Sequence, residues 1–358
     1  MEGLAGLAEK ACSKDDGETI ERVATTVGIP YEGAYGLPFQ QNRYTCNKLV
    51  VALTPHKKAF DVEKALRTFE QNILKRKERP NVGYKWSYAG YVEAGIFGLI
   101  YILERNANAC AVLNNLDVDA KYLDWYNIGL VWRDERLIGA TDAFIESMHQ
   151  CKTRFVVIIL TLWTGVQVLH ANILLYDTLN HVAERFDPYH DGIGSPKLLA
   201  NVDRELEKFF KRAYSDFSRL VRPPKKTLFK GIQTLQEGEM DKKKHDPPGY
   251  CQPFTFLYCE CRLTFPDMDP LQVRDLIIQS ADQRTQTIGD FIRTYSECLQ
   301  DETLLLFERY VKPRSPGERM ARQLKEGFIP YLDIAVERLK RLNAVGFMPA
   351  EKQKKATF

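Results

Sequence analysis

An almost unbroken apolar segment, Phe155 to Trp163, constrains the fold of this chain more than any other feature. The segment is too short to cross a bilayer, which needs about 20 consecutive apolar residues. Apolar residues occupy both alternating sets of positions and several of them are β-branched, so the segment predicts a strand that is buried on both faces of a sheet. A strand of this kind lies inside a domain, with other elements packed on both sides.

The next two segments predict a β-hairpin. Residues 171–176 and 181–186 are rich in apolar and β-forming side chains, and the turn-forming sequence at 177–180 separates them. His170 stands at the start of the first strand, and Asp187 ends the second strand just before a proline. In an antiparallel hairpin the start of one strand lies opposite the end of the next, so we expect His170 and Asp187 to pair.

A cysteine at the head of a predicted helix supplies a third reactive group. Cys251 follows a Gly-Tyr pair and opens a segment, 251–263, that resembles a mostly buried helix. The N–H groups and dipole of a helix N-terminus stabilise a thiolate there, and the amide of Cys251 could stabilise an oxyanion. Taken alone, Cys251 fits a buried small side chain better, and His170 fits a packed core histidine better. Their combination with Asp187 supplies what a thiol nucleophile needs, which is a base and a group that orients the base.

Metal and cofactor chemistry find less support in the sequence. His245, Cys251, Cys259 and Cys261 could be written as zinc ligands. The two short ligand pairs of a zinc finger or ribbon are absent, however, and a Cys-x-Cys pair within a helix points its thiols to different sides. The chain also lacks a Gly-x-Gly-x-x-Gly loop, a Walker sequence and a Gly-x-Ser-x-Gly elbow. We therefore expect neither a metal nor a cofactor.

Helical patterns surround the predicted strands. A helix should begin at Thr141 and run to about Gln150, and a strongly amphipathic one should span Asn201 to Val221 with Asn201 as its cap. Further helices are predicted from Asp269 to about Ser280 and at 288–311 and 317–343. The segment from Trp125 to Val131 is expected to be extended. The segment from Gly95 to Leu103 is expected to be either a helix or a buried strand.

These patterns divide the chain into five parts. We expect a flexible N-terminal arm at 1–30, an N-terminal α/β region at 31–140 and a core at 141–280 that carries the reactive residues. A C-terminal helical region should occupy 281–345, followed by a basic tail at 346–358.

Composition limits the compartment and the partners. The eight cysteines are scattered, and no secretory signal is evident at the N-terminus, so we expect reduced thiols in an intracellular protein. No segment predicts a membrane span. The net charge is +3, and basic clusters such as Lys242-Lys243-Lys244 are typical of solvated surfaces, so we do not expect a nucleic-acid partner.

The reactive residues and the sequence around them resemble a known family. The sequence resembles the ubiquitin-like-protein proteases in the order of its elements. A strand is followed by His170, then by a hairpin that ends in Glu-Arg-Phe-Asp187-Pro-Tyr, and later by Gly-Tyr-Cys251 at the head of a helix. This family includes the SUMO proteases, adenovirus endopeptidase and the polyprotein protease of African swine fever virus. The SUMO proteases place the acid 17 residues after the histidine, and here 187 − 170 = 17. The amino-acid sequences of 170–177 and 184–189 resemble a group of giant DNA virus proteins still more closely. These proteins also share the Arg-Leu-x-x-Pro-Asp pattern found here at 262–267.

The resemblance implies a role for each site residue. Cys251 would be the nucleophile, His170 the base and then the acid, and Asp187 the group that orients the imidazole. The family also uses a glutamine a few residues before the cysteine as an oxyanion donor.

The position of that glutamine differs here. His245 stands six residues before Cys251, in a Lys-rich segment. Gln236-Glu237 resembles the Gln-Glu pair of the giant-virus group, so Gln236 is assigned as the oxyanion donor and Gln233 is its substitute.

The implied fold is an α+β, papain-like cysteine protease fold with a central mixed sheet, a nucleophile helix and additional flanking helices. The implied function is a viral cysteine protease that cleaves peptide or isopeptide bonds in a polyprotein or a ubiquitin-like conjugate. The alternative is a catalytically inactive scaffold that serves as a virion structural or minor capsid protein. Partners would be a protein substrate or viral structural proteins, in the host cytoplasm or virus factory, and the protein could be packaged in the virion.

Overall fold

The computed structural model describes most of the chain beyond residue 91. The described ranges are 16–29, 92–114, 123–165, 168–189, 195–223, 231–234, 250–283, 287–310 and 324–346, with scattered positions up to residue 90. Most of the expected region 31–140 before residue 92, and the expected tail after residue 346, therefore lie outside the described residues.

The described chain contains both helices and strands. In chain order they are α1 (Gly17–Thr26), α2 (Val92–Arg105), β1 (Ala109–Ala111), α3 (Trp125–Ile128), β2 (Gly129–Arg133), β3 (Arg136–Ile138), α4 (Asp142–Gln150), β4 (Phe155–Gly165), β5 (Val168–Asp177), β6 (Val182–Phe186), α5 (Pro196–Ala213), β7 (Arg219–Val221), α6 (Cys251–Thr264), α7 (Pro270–Gln283), α8 (Ile288–Tyr310) and α9 (Leu324–Gly346).

The strands form one mixed, seven-stranded sheet whose main path is β3-β2-β4-β5-β6-β7. Strand β4 is central: it pairs antiparallel with β5 along its whole length, and parallel with β1 and β2 at its two ends. Strand β6 pairs antiparallel with β5 and parallel with β7. The expected central mixed sheet is thus present, and its long β4 is the apolar segment that dominates the sequence.

Helices cover both faces of this sheet. Alternate residues of β4 enter two separate hydrophobic cores: Phe155, Val157 and Ile159 join one, and Val156, Ile158 and Leu160 join the other. Helices α2, α6, α7, α8 and α9 contribute to the first core, and α4 and α5 contribute to the second. We name the two sides of the sheet the α6 face and the α5 face after the helices that matter for the site. Burial on both faces explains why β4 shows no polar alternation.

The hairpin has the predicted form. Asp177 ends strand β5, and its Oδ1 accepts hydrogen bonds from the backbone N–H groups of the turn residues Leu179 and Asn180 at 3.0 and 3.2 Å. Arg154 binds the same carboxylate at 3.0 Å, which holds the pKa of Asp177 below its ordinary value despite the opposing effect of burial. Local side-chain capping of this kind fixes the turn and thereby the register of β5 and β6.

Helix α5 differs from its predicted bounds. It begins after Ser195, whose hydroxyl accepts from the backbone N–H of Leu198, and a proline occupies its first turn. Asn201 therefore lies inside the helix and is not its cap. The helix ends at Ala213, and the residues expected to extend it form a turn and the short strand β7. The prediction failed because the apolar residues after Ala213 pack on the same core from a turn and a strand.

Two further predictions need correction. Residues 125–131 are not uniformly extended: 125–128 form the short helix α3, capped by Asp124, and the strand begins at Gly129. Residues 17–26 form helix α1 and are not a loose arm, because Ile20, Val23 and Ala24 on one side are buried in a small core of their own.

The expectation of eight reduced cysteines is also wrong for Cys12, Cys110 and Cys151, which are disulfide-bonded. Cys110 and Cys151 form a disulfide with a Cα–Cα distance of 6.3 Å. The parallel pairing of β1 with the start of β4 brings Cys110 beside the end of α4, where Cys151 lies. Among the described helices, none is long and apolar enough to cross a membrane.

Helix α5 provides a test of the core on its side of the sheet. Leu206 is fully buried there, so Leu206→Ala should lower the free energy of unfolding by about 2–5 kcal/mol through cavity formation. Lys211→Ala, at an exposed position of the same helix, should change it by less than about 0.5 kcal/mol. Urea denaturation of the two variants measures the difference, and equal effects would contradict this packing.

Candidate active site

His170 and Asp187 meet at the end of the sheet where β5 begins. His170 lies opposite Leu162 of β4, and Asp187 immediately follows β6. The imidazole Nε2 donates to Asp187 Oδ1 at 2.7 Å, and both side chains are almost completely buried. The hairpin register thus brings together the two residues that the sequence expects to pair.

Cys251 joins this pair from helix α6. It is the first residue of the helix, which packs on β5. The backbone N–H of Ala171 donates to Cys251 Sγ at 3.4 Å, and Cys251 lies near enough to His170 to contribute to the raised pKa of the imidazole. Since Nε2 faces Asp187, Nδ1 is the imidazole nitrogen that remains for the thiol. Thiol, imidazole and carboxylate therefore lie together in one buried cluster.

The electrostatics of the site favour an imidazolium. Burial acts to lower the pKa of His170, but the charge and hydrogen bond of Asp187 and the contact with Cys251 outweigh it and raise this pKa to about 10. Burial likewise acts to raise the pKa of Asp187, but His170, Arg185 and the backbone N–H of Tyr189 hold it below its ordinary value. The carboxylate is thus ionised and the imidazole strongly basic.

The N-terminus of α6 adds a polar end to the site. Tyr250 occupies the cap position, and its side chain makes no capping hydrogen bond. The N–H groups and dipole of such a helix end favour negative charge beside Cys251. Cys259 and Cys261 lie deeper in the same helix, where burial and the nearby Glu260 raise the pKa of both thiols well above the ordinary value. Their thiols are therefore poor nucleophiles.

Of the two glutamines considered as oxyanion donors, the structure describes Gln233 but not Gln236. Gln236 and the neighbouring His245 lie outside the described residues. Gln233 is buried, and its backbone N–H donates to the carbonyl of Pro188 at 3.0 Å, one residue beyond Asp187. Its side-chain Oε1 has no hydrogen-bond partner within the part of the chain that the structure describes. Gln233, the substitute in the sequence analysis, therefore lies beside the residues that follow Asp187.

Two contacts at the site were not anticipated from the sequence. The Tyr189 ring meets the His170 ring edge to face at a centroid distance of 5.4 Å. Arg185 is buried and donates to Asp187 Oδ2 at 3.3 Å. The sequence did carry a signal for Arg185, because it is a charged residue on a strand whose neighbours are mostly apolar. Recognising its role required the position of helix α5.

The described part of the molecule contains no cluster of side chains suited to binding a metal ion. Among those residues no group of three or more histidine, cysteine, aspartate or glutamate side chains is positioned to hold an ion. Cys251, Cys259 and Cys261 are free thiols, all buried.

Comparison with known proteins gives limited matches. No family model matches the chain. A protein of Acanthamoeba polyphaga mimivirus, named as an ankyrin repeat protein, is 30% identical over 145 residues. The match covers 37% of this chain and 19% of that protein, so the chain spans about a fifth of its relative's length.

Two solved structures of ChlaDub1 from Chlamydia trachomatis are also similar, each at 13% sequence identity. One covers 69% of this chain and 96% of its own, with a TM-score of 0.28. The other covers 76% and 95%, with a TM-score of 0.27. TM-scores of this size do not establish a shared fold, so the description of the fold depends on the sheet, helices and contacts above.

The raised pKa of His170 predicts how its contribution to stability depends on pH. Between its usual value of 6.5 and about 10 the native state binds more protons than the unfolded state, so this contribution is complete below 6.5 and is lost as the pH rises through about 10. The stability difference between wild type and His170→Gln should therefore shrink across that window. Urea denaturation at stepped pH measures it.

A stability difference that stays constant across the window would contradict the imidazolium. The titration of Asp187 does not affect the stability difference in this pH window. Its pKa is lowered, so its contribution is present above its ordinary value of 3.8 and is lost only as the pH falls below that.

Proposed function

We propose that this protein is a cysteine peptidase with Cys251 as nucleophile, His170 as general base and acid, and Asp187 as the residue that orients the imidazole. The observation that carries the proposal is the buried cluster in which His170 is hydrogen-bonded to Asp187 and the Cys251 thiol is bound by the backbone N–H of Ala171, the residue next to His170. A buried cysteine that serves only as packing needs neither a helix N-terminus nor an imidazole held by a carboxylate. This geometry also supports the papain-like fold that the sequence resemblance implies.

The reaction follows from these positions. The proton of Cys251 resides on His170 in the thiolate–imidazolium form that the site's charges favour, and the thiolate attacks the carbonyl carbon of the scissile bond. The tetrahedral oxyanion receives hydrogen bonds from the N-terminus of α6. When the C–N bond breaks, the imidazolium gives its proton to the leaving amine, and a thioester remains on Cys251. Water, deprotonated by His170, then hydrolyses the thioester and releases the carboxylic acid.

For the substrate we propose a peptide or isopeptide bond in a viral polyprotein or a ubiquitin-like conjugate. Two observations support this class: the spacing of 17 residues between His170 and Asp187, and the Gly-Tyr-Cys251 sequence at the head of a helix. The resemblance of residues 170–177 and 184–189 to a group of giant DNA virus proteins supports the viral part of this proposal. We accordingly propose that the protein acts inside the infected cell, in the cytoplasm or virus factory, and that it can be packaged in the virion.

Two substitutions separate chemistry from folding. Cys251→Ala removes the nucleophile and should abolish cleavage, at a cost in unfolding free energy of about 1 kcal/mol. Asp187→Asn keeps a hydrogen-bonding group beside His170 but favours the wrong tautomer, so kcat should fall by about 10³- to 10⁴-fold. Cleavage of a ubiquitin-like C-terminal reporter and of viral polyprotein segments measures both effects.

Cys298→Ala is the matched control, because Cys298 is also a reduced, buried cysteine but lies on helix α8, away from His170 and Asp187. It should retain wild-type cleavage. If Cys251→Ala cleaves as well as wild type, the peptidase proposal fails. An inert wild type whose virion incorporation survives Cys251→Ala would favour the scaffold alternative instead.

The oxyanion donor can be assigned by comparing the two glutamines. Removing one oxyanion-hole donor costs about 10²- to 10³-fold in kcat. The sequence analysis assigned Gln236 as the donor. Gln233 is a strong alternative donor, because it is buried and its backbone is hydrogen-bonded to Pro188. Gln233→Ala and Gln236→Ala should therefore differ, with the loss of kcat confined to the true donor. Equal, small effects from both would mean that the helix N-terminus acts alone.

A further inference from the structure

Arg185 occupies an unusual position for a charged side chain. It lies on β6, is 4% exposed, and points to the α5 face of the sheet, where helix α5 covers it. Its neighbour Glu184 points to the opposite face and binds Arg262 of helix α6. Strand β6 thus buries one ion pair on each side, and only the pair on the α5 face reaches the catalytic residues.

The carboxylate of Asp187 is held through both of its oxygens. Oδ1 accepts from His170 Nε2 at 2.7 Å and from the backbone N–H of Tyr189 at 2.9 Å. Oδ2 accepts from Arg185 Nη1 at 3.3 Å. Rotation of the carboxylate about its Cβ–Cγ bond would break contacts on both oxygens, so the oxygen that faces His170 is fixed.

Arg185 is itself held in place by two further residues. Its Nε donates to Asp203 Oδ1 at 2.7 Å, and its Nη1 donates to Asn172 Oδ1 at 2.8 Å. Asp203 belongs to helix α5, and Asn172 lies on β5 two residues after His170. The guanidinium therefore links the covering helix, the strand of the histidine and the acid of the site.

Stability alone is a poor explanation for this arrangement. Burying charges costs several kcal/mol per ion, so buried ion pairs are often replaced by apolar residues without loss of stability. Asn172 strengthens the point, because its buried Nδ2 has no hydrogen-bond partner among the residues that the structure describes, while its oxygen is used to hold Arg185. The polar atoms here are arranged to fix one guanidinium, at some cost to the core.

We propose that Arg185 is a positioning residue that holds Asp187 ionised and oriented toward His170, with Asp203 of helix α5 as its anchor. The proposal rests on the peptidase function proposed above. Arg185 and Asp203 thus extend the site to the α5 face of the sheet. The packing of helix α5 on this face determines how firmly the imidazole is held beside Cys251.

The test replaces the guanidinium and follows His170 directly. In ¹⁵N-histidine NMR spectra the wild-type Nε2–H of His170, assigned by its loss in His170→Gln, should be protected from solvent exchange. Arg185→Met should broaden or remove this signal and lower the rate of Cys251 alkylation by iodoacetamide and kcat by on the order of 10- to 100-fold. KM should change little, because Arg185 touches no substrate. Arg185→Lys keeps the charge without the planar fork and should restore part of the signal and rate.

Arg262→Met is the matched control, because Arg262 is 3% exposed and forms the equivalent buried pair with Glu184 on the other face. It should lower the melting temperature as much as Arg185→Met while keeping the His170 signal and at least half of the alkylation rate. If Arg185→Met folds with both unchanged, the proposal is overturned. If Arg185→Met does not fold, Arg185→Lys and Asp203→Asn decide, and wild-type signals and rates in both would overturn it.

The same measurements separate this proposal from the peptidase function. A wild type that cleaves nothing, and whose Cys251 is alkylated no faster than Cys298, would remove the peptidase function. Loss of the His170 signal in Arg185→Met would still show that Arg185 positions Asp187. Conversely, an active wild type with an unaffected Arg185→Met variant would keep the function and reject the positioning role.

Discussion

The antiparallel pairing of β4 with β5 is the constraint on which the rest of the molecule depends. It runs from Phe155 opposite Asp177 to Trp163 opposite Leu169, and side chains of β4 enter both cores. Because side chains alternate between faces, a shift of one residue would move every apolar group of β4 to the wrong core. The same ladder places His170 at the last regular pairs, so the register that fixes the core also fixes the imidazole.

Strand β6 connects this ladder to the helices that complete the site. On the α6 face, Glu184 accepts from Arg262 Nη2 and Nε at 2.5 and 2.8 Å and from the Tyr258 hydroxyl at 3.1 Å. These contacts hold the C-terminal half of helix α6 on the sheet, two to three turns away from Cys251. On the α5 face, Arg185 binds Asp203 of the other helix. Adjacent residues of one short strand thus secure the two helices that flank the histidine–carboxylate pair.

Much of this arrangement could be predicted from the sequence because it is local. The hairpin, the strand β4, helix α6 and the pairing of His170 with Asp187 follow from periodicity, turn residues and register over fewer than 20 residues. The end of α5 at Ala213 and the strand β7 could not be predicted, because residues after Ala213 keep an apolar pattern that a helix, turn or strand can all satisfy. The Cys110–Cys151 disulfide also depends on a parallel strand contact between distant segments.

The role of Arg185 lies beyond local patterns for a physical reason. Its sequence signal, a charge on a buried strand, is shared by Glu184, and only the alternation of side chains assigns the two residues to opposite faces. What Arg185 binds is then decided by Asp203, 18 residues later, on a helix whose bounds the sequence misplaced. The parts of the site that bond within the hairpin were therefore predictable. The part that supports the acid from outside the hairpin required the packing of helix α5 on the sheet.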